Sequence, residues 1–226
     1  MDMLPINRFA AAVFAVVLPL AACSEAGGQE GAKADTSDST YLGTVSFNAG
    51  PGVSLGAADA PVTLVEYASL TCGHCKDFHE DVLPRVKADY VASGQVRYIF
   101  REYPTPPVEL AIAGFATARC AGEDGYFDVL DDYFATQVEI FDSARAGTVR
   151  QTLIDLASRH GLSESDFEAC LNDSDVRRAI SRAVDTGQAE GVNSTPTLIL
   201  NGERSNTPEA RTADGMAALI DAALAG

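Results

Sequence analysis

Val62-Thr63-Leu64-Val65-Glu66-Tyr67-Ala68-Ser69-Leu70-Thr71-Cys72-Gly73-His74-Cys75-Lys76-Asp77-Phe78 is the stretch on which the fold turns. Its first part, Val62 to Tyr67, is apolar, rich in β-branched residues and of strand length, with Pro61 as its boundary. Beyond the two cysteines, Phe78, Val82, Val86 and Tyr90 recur every four residues, the stripe of an amphipathic helix. Pro84 falls inside that stripe and predicts a kink, because it lacks a backbone donor and its ring clashes with the preceding turn. Gln95 to Phe100 predicts the next strand. Strand, cysteine loop, helix and strand is the order of a parallel pair joined by a helical crossover, and so of an α/β fold.

Working outward from this unit, the pattern changes character. Gly50, Pro51, Gly52 and Gly56 predict loop up to Pro61. From about Pro107 to Glu190 there is no good strand. Val108 to Cys120, Tyr126 to Gln137, Thr148 to His160, Ser163 to Leu171 and Asp173 to Glu190 read as helices. Ser163 with Asp166 makes a capping arrangement, and Gly161 and Gly191 stand where helices end. This all-helical insertion of roughly eighty residues has the size of a small domain. Thr195-Pro196 then leads into Thr197-Leu198-Ile199-Leu200, and Asn201-Gly202 is a strong hairpin turn signal. Ala213 to Leu224 predicts a closing helix.

The N-terminus is addressed, not folded. Arg8 supplies a positive charge, Phe9 to Leu20 is a run without charge, and Ala21-Ala22 precede Cys23. That is the layout of a signal peptide over residues 1–22. Leu20-Ala21-Ala22-Cys23 resembles the lipobox of bacterial lipoproteins, which implies lipidation of Cys23 and a membrane anchor. Ser24 rather than Asp after the cysteine favours the outer membrane by that family's rule. If Cys23 were not lipidated, the chain would be soluble in the periplasm. Residues 23–43 are mostly Gly, Ala, Ser, Thr and charged side chains, too polar to bury a core, and read as a flexible tether. The whole chain of 226 residues carries 32 acidic and 16 basic side chains, a formal charge of −16. A field of that sign repels phosphate backbones and argues against nucleic acid as a partner.

The chemistry lies in the cysteines. A thiolate, not a thiol, attacks disulfides, so a redox cysteine needs a lowered pKa. Cys72 at the first turn of a helix gains it from unpaired N–H groups and the positive end of the dipole. His74 can add charge or a hydrogen bond, and Gly73 is expected to let the loop backbone approach closely. Cys75, one turn deeper, is expected to resolve the mixed disulfide formed at Cys72. A lone C-x-x-C can also be half of a zinc site, but Cys120 and Cys170 are not themselves a close pair, and no metal is expected. With Cys23 set aside, four cysteines allow three pairings, and taking 72 with 75 leaves 120 with 170. His79 and His160 read as structural.

Cys72-Gly73-His74-Cys75 after a Glu66-bearing strand, a helical insertion, and Thr195-Pro196 before a hairpin together resemble the DsbA-like branch of the thioredoxin superfamily. The resemblance implies a thioredoxin-fold domain in two parts, 44–106 and 189–226, interrupted by the insertion at 107–188. It implies a cis peptide before Pro196 facing the redox pair, which would expose the Thr195 backbone to a substrate strand. Glu66 matches a buried acid of that family, able to move protons. Cys120 and Cys170 match the second, structural disulfide of some of its members. Gly73 stands where the best-known members carry Pro. The implied activity is dithiol oxidation of reduced or misoxidised exported proteins by a monomer. Its working group is the Cys72–Cys75 disulfide, with no other cofactor, and a membrane partner takes the electrons. A reductase or isomerase, or a chaperone-like binding module, are the alternatives.

Overall fold

The computed structural model describes residues 44–48 and 50–226. The signal peptide expected over 1–22, and Cys23 with its tether to residue 43, lie outside the described residues. The strands are β1 (Val45–Ser46), β2 (Val53–Leu55), β3 (Val62–Ala68), β4 (Val96–Glu102), β5 (Thr197–Leu200) and β6 (Glu203–Arg204), in the order β1-β2-β4-β3-β5-β6 across one sheet. The central pair β3 and β4 is parallel, with Leu64 opposite Tyr98 and Glu66 opposite Phe100. The other pairings are antiparallel. β1 and β2 correct the expectation of loop before Pro61. They are very short and glycine-flanked, and Val53, Ser54 and Leu55 are all buried, so the segment shows no alternation.

Side chains of a strand alternate between faces, and here the parity sorts two unequal cores. Val62, Leu64 and Ala68 of β3 join Tyr98, Phe100 and Leu198 in the large core, with Phe78 and Val82 packed among them. Val65 and Tyr67 join Ile99, Ile199 and Val192 in a smaller cluster on the opposite face. Glu66 has the parity of the large core and is fully buried there.

The helix after the cysteines is broken more sharply than a kink. α1 (Gly73–Asp81) stops at Val82, α2 (Leu83–Arg85) is a single turn, and Val86–Val91 is a stretch of π-helix. Pro84 thereby falls in the first turn of α2, where its missing N–H costs nothing. The apolar stripe survives the break: Phe78, Val82, Val86 and Tyr90 are all buried.

The insertion consists of α3 (Val108–Cys120), α4 (Gly122–Ala135), α5 (Gln137–Ala146), α6 (Val149–Arg159), α7 (Glu164–Asn172) and α8 (Ser174–Ala189). The sequence reading lacks α5. Its buried side chains are Gln137, Ile140 and Ser143, too polar a face to show as a stripe. Ser163 and Asp166 form the expected capping box of α7, each accepting from the other's backbone N–H. Cys120 and Cys170 are joined, tying α3 to α7 across a Cα–Cα distance of 6.2 Å. The insertion shares its core with the sheet, since Phe115, Tyr126 and Leu153 belong to the same cluster as Leu64 and Phe100. Gly114 marks the closest approach: a Cβ there would fall 2.5 Å from both Leu70 and Tyr133. After β5, Asn201 and Gly202 take φ of 48° and 86° and turn the hairpin into β6. α9 (Ala213–Ala225), capped by Thr212, closes the chain. Among the described residues no helix is long and apolar enough to cross a membrane.

Candidate active site around Cys72 and Cys75

β3 delivers the chain into a loop held by its own hydroxyls. The Ser69 and Thr71 side-chain oxygens lie 2.9 Å apart, Thr71 Oγ1 donates to the Thr105 carbonyl, and Thr105 N–H donates to Ser69 Oγ. Cys72 N–H donates to the Ser69 carbonyl at 3.0 Å. From the insertion, the buried Gln137 places its Nε2 2.8 Å from the Leu70 carbonyl and 3.2 Å from that of Cys72. The first residue of α5 thus clamps the backbone that carries the reactive sulfur. Nothing in the sequence signals this, because the partners are main-chain atoms. Replacing Gln137 by Leu leaves a buried carbonyl short of a donor, an expected cost of about 1–3 kcal/mol by urea unfolding.

Cys72 is the N-cap of α1, with extended backbone, and Cys75 sits one turn in, fully buried. Both sulfurs are free thiols here. The Cys72 thiol is lowered from its ordinary value to about 5, first by a hydrogen bond from Cys75. Burial opposes this; the Thr195 side chain and the N–H groups of Cys75 and His74 assist it. The helix closes no formed hydrogen bond onto the thiol, so its N–H groups act mainly as a field on the thiolate. Cys75 is pushed well above the ordinary thiol value, first by burial, then by Cys72 and by the charge of Glu66. Two identical side chains three residues apart are therefore driven in opposite directions.

The peptide between Thr195 and Pro196 is cis, and the Thr195 carbonyl lies 3.4 Å from Cys72 Sγ. β5 begins directly after it, alongside β3. His74 behaves differently from expectation. Its imidazole is largely exposed and lies 3.6 Å from the Asp77 carboxylate, while its backbone N–H is what acts on Cys72. Gly73 also needs a correction: a Cβ there would meet nothing within 4 Å, so no close approach of the loop explains it.

Glu66 is the site's buried acid. Its Oε2 accepts from the Tyr98 hydroxyl at 2.5 Å and lies 3.2 Å from His79 Nε2, while Oε1 is buried without a partner. Burial, with the Glu66 charge beside it, pushes the Tyr98 hydroxyl well above its usual range. His79 is a residue the sequence reading set aside. It follows Cys75 by four residues, and that spacing places both on one helix face. Among the described residues no cluster of three or more His, Cys, Asp or Glu could hold a metal ion.

Comparison with known proteins agrees with this geometry. The family model described as Thioredoxin matches residues 48–222. A Rickettsia conorii protein named as a protein-disulfide oxidoreductase is 27% identical over 171 residues, 75% of this chain and 59% of that relative. The chain therefore spans about three fifths of that relative's length. The structure of BdbD from Bacillus subtilis superposes with a TM-score of 0.65 at 24% identity, covering 81% of this chain and 97% of that one. Wolbachia pipientis alpha-DsbA1 gives 0.67 at 24% identity, covering 76% and 90%. With a thioredoxin sheet, a helical insertion after its second long strand and a C-x-x-C at the start of its first helix, the chain belongs to the thioredoxin family and shares its fold with BdbD and alpha-DsbA1.

Proposed function

We propose that this chain is an exported thiol-disulfide oxidoreductase working as a dithiol oxidase. The observation that carries the reading is the opposed pair of sulfurs, Cys72 lowered to about 5 and Cys75 raised. A stabilised thiolate in the reduced form makes Cys72 a good leaving group and makes the Cys72–Cys75 disulfide an oxidant. A substrate thiolate attacks Cys72 Sγ of that disulfide. The S–S bond breaks, its electron pair goes to Cys75, and Cys75 takes up a proton. A second substrate thiolate then attacks the substrate sulfur of the mixed disulfide and releases Cys72 as thiolate. Two electrons have moved from the substrate dithiol to the pair, and a membrane partner takes them onward. The Thr195 carbonyl lies beside Cys72, which supports pairing of an extended substrate strand there. Glu66 serves as the acid that exchanges the Cys75 proton.

Substrates of this reading are reduced or misoxidised exported proteins. The chain faces the periplasm, held at the outer membrane by lipid on Cys23 and acting as a monomer. Relatives named as protein-disulfide oxidoreductases support the reaction class.

The test joins two measurements. Alkylation of reduced Cys72 by iodoacetamide is expected to be half-maximal near pH 5, against about 8.5 for a free thiol. The reduction potential against glutathione is expected nearer the about −120 to −180 mV of oxidising relatives than the about −270 mV of thioredoxin. A midpoint above 7 with a potential near the thioredoxin value assigns the chain to reduction instead. The sign of the pH effect follows from the lowered pKa. The thiolate stabilises the folded reduced form fully above the free-thiol value, and this stability is lost as pH falls through about 5.

A further inference from the structure

We propose that His79 is the proton store for Cys75, passing its proton through the buried Glu66 carboxyl and taking it back by the same route. The inference rests on the reading of Cys72 and Cys75 as a working redox pair.

His79 has no contact with the reacting sulfurs, yet it is one of the most enclosed side chains in the protein. Its imidazole is 1% exposed and the Glu66 side chain 0%, and their nearest atoms are 3.2 Å apart. Such a pair is costly unless it serves as a unit, because neither group can reach water alone. Four elements close around the ring. β3 contributes Glu66, and β4 contributes the Tyr98 hydroxyl at 3.4 Å with Phe100 on an edge. α4 contributes Phe134, tilted over the ring at 4.2 Å, and Asp131; α1 contributes Phe78 and, one turn back, Cys75.

The ring's two nitrogens face different worlds. Nε2 points to Glu66, whose other oxygen is the buried atom without a partner. Nδ1 lies 3.7 Å from Asp131, beyond hydrogen-bond reach, and is itself buried and unbonded. Asp131 is 44% exposed and pairs with Lys87 at 3.0 Å, so it stands at the edge of solvent. Glu66 and His79 thus stand side by side, the charge of Glu66 acts on Cys75, and Asp131 carries the outer end of the cluster to the edge of solvent. Burial works to lower the His79 pKa, but Glu66 and Asp131 together outweigh it and raise it above the ordinary imidazole value.

The proton balance is simple. When the Cys72–Cys75 bond breaks, Cys75 receives its electron pair in a buried site that disfavours thiolate. One proton moves from His79 Nε2 to Cys75 Sγ by way of the Glu66 carboxyl, which ends as it began. Neutral His79 keeps its Nδ1 proton toward Asp131, and the vacancy is at Nε2, facing Glu66. When Cys75 attacks a mixed disulfide, the same proton returns to that nitrogen. His79 acts through Glu66 and is a positioning residue for charge and proton, not a catalytic one.

The test uses the folded full chain with glutathione as the thiol, at pH 5 to 9, with rates divided by the glutathione thiolate present. Wild-type disulfide opening is expected to slow as pH rises through the His79 titration. His79→Gln is expected to be about tenfold slower at pH 7 and to lose that slope, a modest share of what positioned acids and bases contribute. Phe134→Leu disturbs the same packing and is expected to keep the slope. An unchanged profile in His79→Gln overturns the proposal. If that variant does not fold, the wild-type His79 ring resonance decides. Its midpoint is expected to differ between oxidised and reduced protein, since coupling between sites is reciprocal, and an identical midpoint overturns the proposal. Failure of the underlying reading looks different: the wild-type Cys72–Cys75 disulfide would then open no faster than Cys120–Cys170.

Discussion

Cys75→Ala is expected to stop turnover and leave the protein covalently attached to its substrates. In the native chain the second sulfur sits one helical turn from the first, so resolution is intramolecular and does not wait for a collision. Well-oriented intramolecular attack corresponds to effective concentrations far above any cellular thiol, on the order of 10⁵ M at the favourable limit. Without Cys75, release depends on outside thiols, and turnover is expected to fall by at least about a thousandfold. Non-reducing gels of the variant should show mixed disulfides at Cys72 that vanish on reduction. A second effect follows from the first-ranked cause of the lowered Cys72 pKa, the hydrogen bond from Cys75. Its loss moves the alkylation midpoint upward from about 5, so at pH 6 the variant alkylates more slowly than the native chain. A variant that turns over normally, or whose midpoint stays in place, contradicts the division of labour between the two sulfurs.

Removing the other pair tests stability rather than chemistry. The bridge between Cys120 and Cys170 closes a loop with a sequence separation of 50. In the chain-entropy account a loop of that length contributes about 4 kcal/mol by restricting the unfolded chain. The double variant Cys120→Ala, Cys170→Ala is expected to lose about 3–4 kcal/mol and about 10 °C in Tm, measured by calorimetry or circular dichroism. Beside Cys120, Arg119 bonds the fully buried Glu102 at 2.8 Å, and Tyr126 donates to the same carboxylate at 2.9 Å. Loosening α3 exposes that ion pair to water, an added cost if the helix end frays. Thiol exchange at Cys72 is expected to persist at 25 °C, because the bridge touches none of the groups that tune it. A Tm shift under 2 °C shows that packing alone holds α3 to α7.

How much of this was legible depends on whether a residue's meaning is local. The unit from Val62 to Phe78 can be read because its hydrophobic period changes from two to nearly four across the cysteines. α3 can be read to the residue, since Val108 to Cys120 is both apolar and helix-forming. α5 cannot, because its buried face is Gln137, Ile140 and Ser143, and the glutamine is buried only to bond a distant loop. The burial of Glu66 depends on which face of β3 the insertion covers, a fact no strand carries in itself. His79 reads as a lone histidine, because its enclosure against Glu66 arises only when β3, β4, α1 and α4 pack together. The sulfurs are read from the motif itself. The corrections concern their neighbours: His74 acts through its main chain, and Gly73 fills no tight space.

The two ends of the sheet are as short as strands can be. β1 and β6 have two residues each, and β6 is Glu203 and Arg204, both exposed. Under the proposed function, the protein would meet extended, sticky backbone at every turnover. Long open sheet edges would recruit such segments into intermolecular ladders, the first step toward aggregates. Among the described residues each rim offers few unpaired groups to a foreign strand, and β6 carries one charge of each sign. Under the proposed function, a client paired beside Thr195 and the Cys72 sulfur would find little strand to join at either rim.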